Sequence, residues 1–421
     1  MNRYLDYLAA LKTPFQKLCR LEFLQPDGSV AYVLDNRPKN ARSGAFLQEG
    51  NLSVNLQNGQ RRQANVTLMN LNGEYDYAVN KVWFGQQVRL SEGLVLPDGT
   101  DFYLPQGVFY IKEPQEVLKP GKKTVTYNLV DKWAMLDGTL GGTLEGIYEI
   151  PLNSPIFTAI SSLLIEDKGN GQPYDSVPPL FTDYYNDLTT TLPDGSEVSN
   201  VLTPYTLRID SESGTRAEVI LGLNTMLAGW VGYDQTGRLR LTPSQDDILD
   251  ATKPVQWSFT PNEQQFLGAT YTVKNHEMYN DVIIMGEALD TNPQANGRAT
   301  NLDPASDTNV KLVGYKTYRE SKQGFYTDDI CEAQAIFELK RRTVLQKAVT
   351  IESTQMFHLA ENNLVEIRRL DKPGSPVERH LIQGFSRPLG QTGMMTINAV
   401  SVADFPFITT TKMPWEQTTT E

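Results

Sequence analysis

"FGQQVRLSEGLVLPDGTDFYLPQGVFYI", residues 84–111, decides how this chain is read. Two apolar-rich runs are hinged on Pro97-Asp98-Gly99. Proline presets the backbone entering a bend, and glycine accepts the left-handed conformation leaving it, so the stretch predicts β-structure folded at a turn. It carries no histidine, no cysteine and no phosphate-binding glycine loop. It offers packing surface and nothing reactive.

The same pattern extends outward from Cys19 to about Asp137. Leu21 and Phe23 precede the turn Pro26-Asp27-Gly28. "NLSVNL" (51–56) alternates Leu52, Val54 and Leu56 ahead of Asn58-Gly59, and "ANVTLMNL" ends at Asn72-Gly73. "QQVRL", "GVFYI" and "TVTYNLV" follow. Short period-two runs divided by turn dipeptides predict an antiparallel barrel or sandwich. Ahead of them, residues 2–13 predict a short amphipathic helix with Tyr4, Leu5, Leu8 and Leu11 on one face, ended by Thr13-Pro14.

Composition sets the limits. At 421 residues the chain implies about two to four domains. Its 40% hydrophobic and 21% charged residues are those of an ordinary globular protein. Thirty-eight basic against fifty acidic residues leave a net charge of −12, the wrong sign for gripping phosphate backbones. It suits a wall past which nucleic acid slides. Two cysteines, Cys19 and Cys331, make no disulfide framework and are expected as buried thiols. The start, "MNRYLDYLAALKTPF", is interrupted by Asp6 and does not read as a secretory signal; no run of about 20 apolar residues follows anywhere. A protein made in the cytoplasm and soluble there is the expectation.

Residues 138–250 read as a mixed α+β segment. "GTLGGTLEG" (138–146) opens it as a flexible crossing. Ser154-Pro155 starts a helix whose face carries Ile156, Ile160, Leu163 and Leu164. After a polar stretch (167–213), Thr215 and Glu218 have capping-box spacing. Val219, Ile220, Leu223, Met226, Leu227 and Trp230 form the expected stripe of that helix, Gly232 its stop, and Leu239 and Leu241 a following strand.

Residues 251–404 return to strands, with a helix at 327–346 and a long polar loop at 290–309. Ile330, Ala333, Ile336 and Phe337 are the expected inward face of that helix, with Asp328 and Asp329 at its positive end and Lys340, Arg341 and Arg342 at its negative end. The order of segments repeats the first region. "QQVRL", "LPDG", "QGVFYI" and "KPGKKTVTYNLVD" find an echo in "NLVEIRRL", "DKPG", "HLIQGF" and "GQTGMMTINAVSVAD". Two related barrels flanking another domain would produce such an echo.

Reactive constellations are lacking. His276, His358 and His380 have no second ligand at zinc spacing. No serine occupies a nucleophile elbow, and neither cysteine has a catalytic context. Asp303 and Asp307 do not match a calcium loop in spacing or glycine position. No catalytic residue, metal ligand or cofactor site is therefore assigned. The tail 405–421 is Thr-rich, but "FPFITTTKMPW" places Phe405, Phe407, Pro414 and Trp415 in it. Aromatics and prolines in a polar end point to docking on a partner or a neighbouring subunit.

Taken in order, "RRQANVTLMNLNGEYDYAVNKVWFGQQVRLSEG" and "LPQGVFYIKEP" resemble the amino-terminal barrel of phage tail hub (baseplate hub) proteins. "TRAEVILGLNTMLAGWVGYDQTGRLRL", "YNDVIIMGEAL" and "DDICEAQAIFELKRR" resemble that family's middle domain and second barrel. The resemblance covers nearly the whole chain, through the order of loose motifs. It implies a mainly β fold with some α: an arm (1–18), a first tube-protein-like antiparallel β-barrel or sandwich domain (19–137), a mixed α/β domain (138–250), a second tube-like domain (251–404) and a tail (405–421). It further implies a homotrimer, a pseudo-sixfold ring at the distal end of the virion's tail. A distal tail or tail tube protein would lie above, and a tip, spike or fibre protein below, with the tape measure protein a further contact. DNA or other cargo would pass through the bore without sequence-specific binding, and no catalytic residue or cofactor is implied. Two other readings are a hexameric distal tail ring protein with one barrel per chain and a carbohydrate-binding receptor module using Tyr184, Tyr185 and Trp415.

Overall fold

A computed structural model of the chain describes residues 3–36, 47–70, 72–75, 85–182, 190–191, 197–198, 201–203, 205–209, 214–227, 229–243, 253–273, 278–286, 294–304, 306–322, 325, 328–344, 347–389, 393–401 and 408–409. The first β region forms β1 (Lys17–Leu24), β2 (Val30–Asp35), β3 (Leu47–Asn55), β4 (Arg62–Met69), β5 (Gln87–Val95), β6 (Asp101–Lys119) and β7 (Lys122–Asp131). The middle gives short strands β8 (Tyr148–Ile150), β9 (Leu180–Phe181), β10 (Thr190–Thr191), β11 (Glu197–Val198), β12 (Leu207–Ile209), β13 (Gly229–Tyr233) and β14 (Leu239–Pro243). The last third supplies β15 (Val255–Phe259), β16 (Phe266–Val273), β17 (Asp281–Met285), β18 (Asn296–Thr300) and β19 (Thr317–Ser321). It continues with β20 (Lys347–Ser353), β21 (Leu364–Arg368), β22 (Val377–Pro388), β23 (Met395–Ser401) and β24 (Ile408–Thr409). Four helices matter here: α1 (Arg3–Ala10), α2 (Ile156–Ile165), α3 (Arg216–Met226) and α4 (Asp328–Val344). The fold is mainly β with some α, as the sequence predicts.

Thirteen strands join in one sheet, β16-β20-β23-β22-β3-β4-β7-β6-β5-β1-β2, with β21 on β22 and β15 on β21. Every pair in it is antiparallel except β15–β21. The path ends at β16 and β2, so closure into a barrel is not seen among the described residues. The joint between β3 and β22 carries the sheet from one β region into the other. One core spans both: Leu52, Leu90, Phe109 and Tyr127 share a cluster with Ile351, Ile382, Phe385 and Ile397. Alternation explains which residues are inside, since successive side chains of a strand point to opposite faces. The turns are as the dipeptides predict. Asp98 accepts from the Thr100 N–H at 2.9 Å and its hydroxyl at 2.7 Å, while Gly99 takes φ +80°.

The middle region has its own core, in which Ile160, Leu163 and Leu164 of α2 meet Ile220 and Leu223 of α3, with Val231 and Leu241. The capping box of α3 is formed: the Glu218 N–H donates to Thr215 Oγ1 at 3.2 Å, and the Thr215 N–H to Glu218 Oε2 at 3.3 Å. The helix ends earlier than Gly232, which lies inside β13. Apolar "WVGY" belongs to a strand buried along most of its length, and a Cβ at Gly232 would sit 2.4 Å from Arg61 Nε. Glycine there permits close approach and stops nothing. "GTLGGTLEG" is packed and not loose: Leu144 is buried, the Arg216 N–H donates to Gly142 O at 2.8 Å, and a Cβ on Gly142 would strike the Leu136 backbone.

Two other expectations are corrected. In α1 the buried face is Tyr7 and Ala10, continued by Leu11 just beyond its end, whereas Tyr4 and Leu5 are 36% and 60% exposed. Tyr7 takes the inward place because its hydroxyl accepts from the Phe357 N–H and bonds His358 Nδ1, each at 3.0 Å. The 290–309 stretch contains strand β18 and a helical turn at Val310–Val313 follows it. β18 escaped the alternation test because small residues are needed where it lies under α4. A Cβ on Gly297 would fall 2.1 Å from the Glu332 nitrogen. Gly297→Ala is expected to lower stability by about 1–3 kcal/mol, since helix backbone cannot yield as a side chain can. A urea midpoint equal to wild type would mean that α4 does not rest on β18.

In α4, Phe337 is buried and Ile336 packs at the edge of a third core formed by Val282, Ile284, Ala299, Ala335 and Leu339. The side chains of Ile330, Ala333, Asp329, Lys340 and Arg341 lie outside the described residues. Asp328 Oδ1 accepts from the Asn296 N–H at 2.8 Å, and Arg342 pairs with Glu338 at 3.1 Å.

Candidate assembly interface

The echo in the sequence is a repeat in the strands. β3, β4, β5, β6 and β7 pair as β5-β6-β7-β4-β3, and β16, β20, β21, β22 and β23 pair as β21-β22-β23-β20-β16. The irregularities coincide as well. β6 against β7 shifts register between Ile111 and Glu113, and β22 against β23 between Ile382 and Gly384, after which Glu113 faces Asn128 and Gly384 faces Asn398. β3 against β4 shifts between Leu47 and Glu49, and β16 against β20 between Phe266 and Gly268. A bulge reorients every residue beyond it, so matching bulges fix residue equivalences. Gly384, Ser386, Arg387 and Pro388 correspond to Glu113, Gln115, Glu116 and Val117. Asn51, Leu52 and Ser53 correspond to Thr270, Tyr271 and Thr272.

The two units are joined where the carboxy-terminal half of β22 meets β3: Ser386 faces Ser53, Arg387 faces Leu52 and Pro388 faces Asn51. The Leu56 N–H donates to Gln383 O at 2.6 Å and the Leu389 N–H to Gly50 O at 2.9 Å. These bonds make Ser386–Ser53 and Pro388–Asn51 pairs of the close, non-hydrogen-bonded kind, which is why a proline is tolerated at 388.

Beneath this joint lies a buried ionic cluster. Arg387 Nε donates to Glu92 Oε2 at 2.7 Å and Nη1 to Met356 O at 2.9 Å, while Nη2 bonds Gln106 Oε1. Lys17 Nζ lies 2.9 Å from Glu92 Oε1 and donates to Pro388 O at 2.6 Å and to Gln355 Oε1. Arg62 donates to Gln106 O at 3.0 Å and pairs with Glu361. Arg387 and Glu92 are both 0% exposed. Burial alone would raise the Glu92 carboxyl, but Arg387 and Lys17 hold it below the usual carboxylate range. Glu92 comes from the first unit and Arg387 from the second, so the pair fixes one unit on the other. Close by, Asp131 accepts from the N–H groups of Arg61 (2.8 Å), Arg62 (2.9 Å) and Trp133 (3.1 Å). Burial nevertheless pushes its carboxyl up to about 6.

At the other places where this joint could recur, the edges are open among the described residues. Beyond Tyr110, β6 pairs only with β7, and residues 112–116 are exposed although Pro114 and Glu116 stand opposite core residues Tyr127 and Val125. β16 has no described strand on its outer side. Glu113-Pro114 is therefore strand, and Pro114 turns its missing donor towards the open edge.

Of the residues singled out in the sequence, Phe405, Phe407, Pro414 and Trp415 lie outside the described residues, as do His276, Tyr184 and Tyr185. His358 packs against Tyr7 and Trp257 and His380 against Tyr271, and burial lowers each to about 4. Cys19 and Cys331 are buried free thiols, pushed up by burial to about 12 and about 11. Asp303 and Asp307 sit in a hydrogen-bonded turn where Asn309 Nδ2 donates to Asp303 O at 2.6 Å. Among the described residues, no three side chains of His, Cys, Asp or Glu converge on a common point as metal ligands, and no helix is long and apolar enough to cross a membrane. No sequence motif marks the ionic cluster. A signal exists, though: in Leu90-x-Glu92-x-Leu94 the charge stands at an inward position of the alternation.

No family model and no curated protein sequence matches the chain. Its fold does have matches among solved structures. The tail protein from Neisseria meningitidis MC58 aligns over 92% of this chain and 97% of its own, with a TM-score of 0.57 at 9% identity. The 43 kDa tail protein of prophage MuSo2 from Shewanella oneidensis covers 91% and 98%, at 0.55 and 14%. Prophage tail protein gp18 from Listeria monocytogenes EGD-e covers 91% and 94%, at 0.53 and 8%. At such identities the likeness is one of fold, and it runs nearly end to end in both partners. These three neighbours are tail proteins, two of them of prophages, in keeping with the resemblance to tail hub proteins.

Proposed function

We propose that this chain is a structural component of a phage-type tail tip. Three copies form a ring of six five-stranded units, joining a tail tube or distal tail ring on one side to a threefold tip, spike or fibre protein on the other. DNA or other cargo passes through the bore, the tape measure protein is a further contact, and the chain does no catalysis. The observation that supports this best is the duplicated unit in a single sheet, because two equivalent units per chain let three chains present six. The end-to-end likeness to tail proteins supports the coarser part, a structural role in a tail. A hexameric ring protein with one unit per chain has no use for β16 and β20–β23.

Mass photometry of the purified full-length chain is expected to give three times the 47.2 kDa chain mass, and negative-stain images a hollow ring. A monomer that persists as concentration rises would overturn the reading.

A further inference from the structure

We propose that neighbouring copies are stitched together by the carboxy-terminal half of β6 on one chain and the outer edge of β16 on the next, in the register that β22 and β3 use within a chain. This rests on the ring reading and adds to it a surface, a partner strand and a register. Within the chain, unit two offers β22 to β3 of unit one. The equivalents still unused among the described residues are β6 in unit one and β16 in unit two, and there those edges are open. An exposed edge is a row of unsatisfied N–H and C=O groups, and the strand best shaped to fill it is the counterpart of one already seen filling its equivalent.

Carrying the register across sets Gln115 against Thr272 of the next copy, Glu116 against Tyr271 and Val117 against Thr270. Gln115–Thr272 and Val117–Thr270 inherit the close, non-hydrogen-bonded geometry of Ser386–Ser53 and Pro388–Asn51. Gln115, Glu116, Thr270 and Thr272 are exposed in the single chain.

Charge gives a second, independent sign. Within the chain, Arg387 meets Glu92 across the joint. Glu116 occupies the place of Arg387. The place of Glu92 in the second unit falls to Arg369: Leu90 faces Gly107, four residues before the Ile111 bulge, as Ile367 faces Glu378, four before the Ile382 bulge, and Glu92 and Arg369 each lie two residues further on. Arg369 stacks on Tyr271, 4.3 Å from the ring centre, where it also pairs with Asp371 and Glu378. The signs are exchanged and the complementarity is kept: Glu116 of one copy reaches Arg369 of the next. Pro114 withholds one donor, so the seam between chains is shallower than the joint within a chain.

The test is a Gln115→Cys, Thr272→Cys double variant of the full chain, oxidised and run on a non-reducing gel. Cys19 and Cys331 are buried and do not compete. Facing residues of a non-hydrogen-bonded pair lie at disulfide distance. Bands of two and three linked chains are expected, and none from either single variant. Separately, Glu116→Arg and Arg369→Glu should each reduce the ring fraction by about tenfold, which the double reversal restores. A wild-type ring without cross-links, or single-variant Gln115→Cys dimers, would overturn the seam and leave the ring reading standing. A wild-type monomer would overturn both.

Discussion

Arg387→Ala is expected to destabilise the protein by about 3–5 kcal/mol. The guanidinium is wholly buried and serves Glu92, Gln106 and the Met356 carbonyl at once. Removing it leaves Glu92 in the core with Lys17 alone and two further acceptors unpaired. Since whole domains are stable by only about 5–15 kcal/mol, much of the folded margin would go. Urea unfolding followed by tryptophan fluorescence measures it, because Trp257 belongs to the shared core. A midpoint shift worth less than about 1 kcal/mol would show that the cluster does not hold the units together. Arg89→Ala is the matched control: its pair with Glu22 is partly exposed at the surface, and such pairs contribute about 0–1 kcal/mol.

Acid should weaken the fold from about pH 6.5 downward. His358 and His380 are buried, and burial lowers both to about 4. The unfolded chain takes up protons near 6.5, whereas the folded chain does not until about 4. Stability is therefore complete above 6.5 and is lost as pH falls through that window, by up to roughly 3 kcal/mol for each ring. Asp131 works the other way: raised to about 6, it favours the folded state as it protonates below that pH, and returns part of the loss. The net effect at pH 5 is a loss of roughly 2–3 kcal/mol. Urea midpoints at pH 7 and pH 5 should differ accordingly, and His380→Gln should reduce the difference. Equal midpoints at the two pH values would refute the assignment.

Much of the fold is legible in the sequence because strands and turns are local events. Pro97-Asp98-Gly99 names its own bend, Thr215 and Glu218 cap their own helix, and "VRL" against "VEI" betrays the duplication. What is not legible depends on distant neighbours. Gly297 is glycine because of Cys331 and Glu332, and Gly232 because of Arg61. The ionic cluster combines Lys17, Arg62, Glu92, Gln106 and Arg387, which meet only after the two units share a sheet. β18, with its small residues, lacks the apolar alternation by which a strand announces itself.

Pro114 and the exposed acids around it also bear on the order of events in a cell. The joint inside a chain closes while its halves are tethered, at an effective concentration no free partner attains, so it tolerates charges sealed permanently from water. An edge that must wait for a separately made copy has to remain wettable meanwhile, and a strand with a missing donor and carboxylates along its rim resists premature zipping with the wrong neighbour. Exchanging the chemistry of the two sites, with phenylalanine at 114, would speed association and divert newly made chains into aggregates.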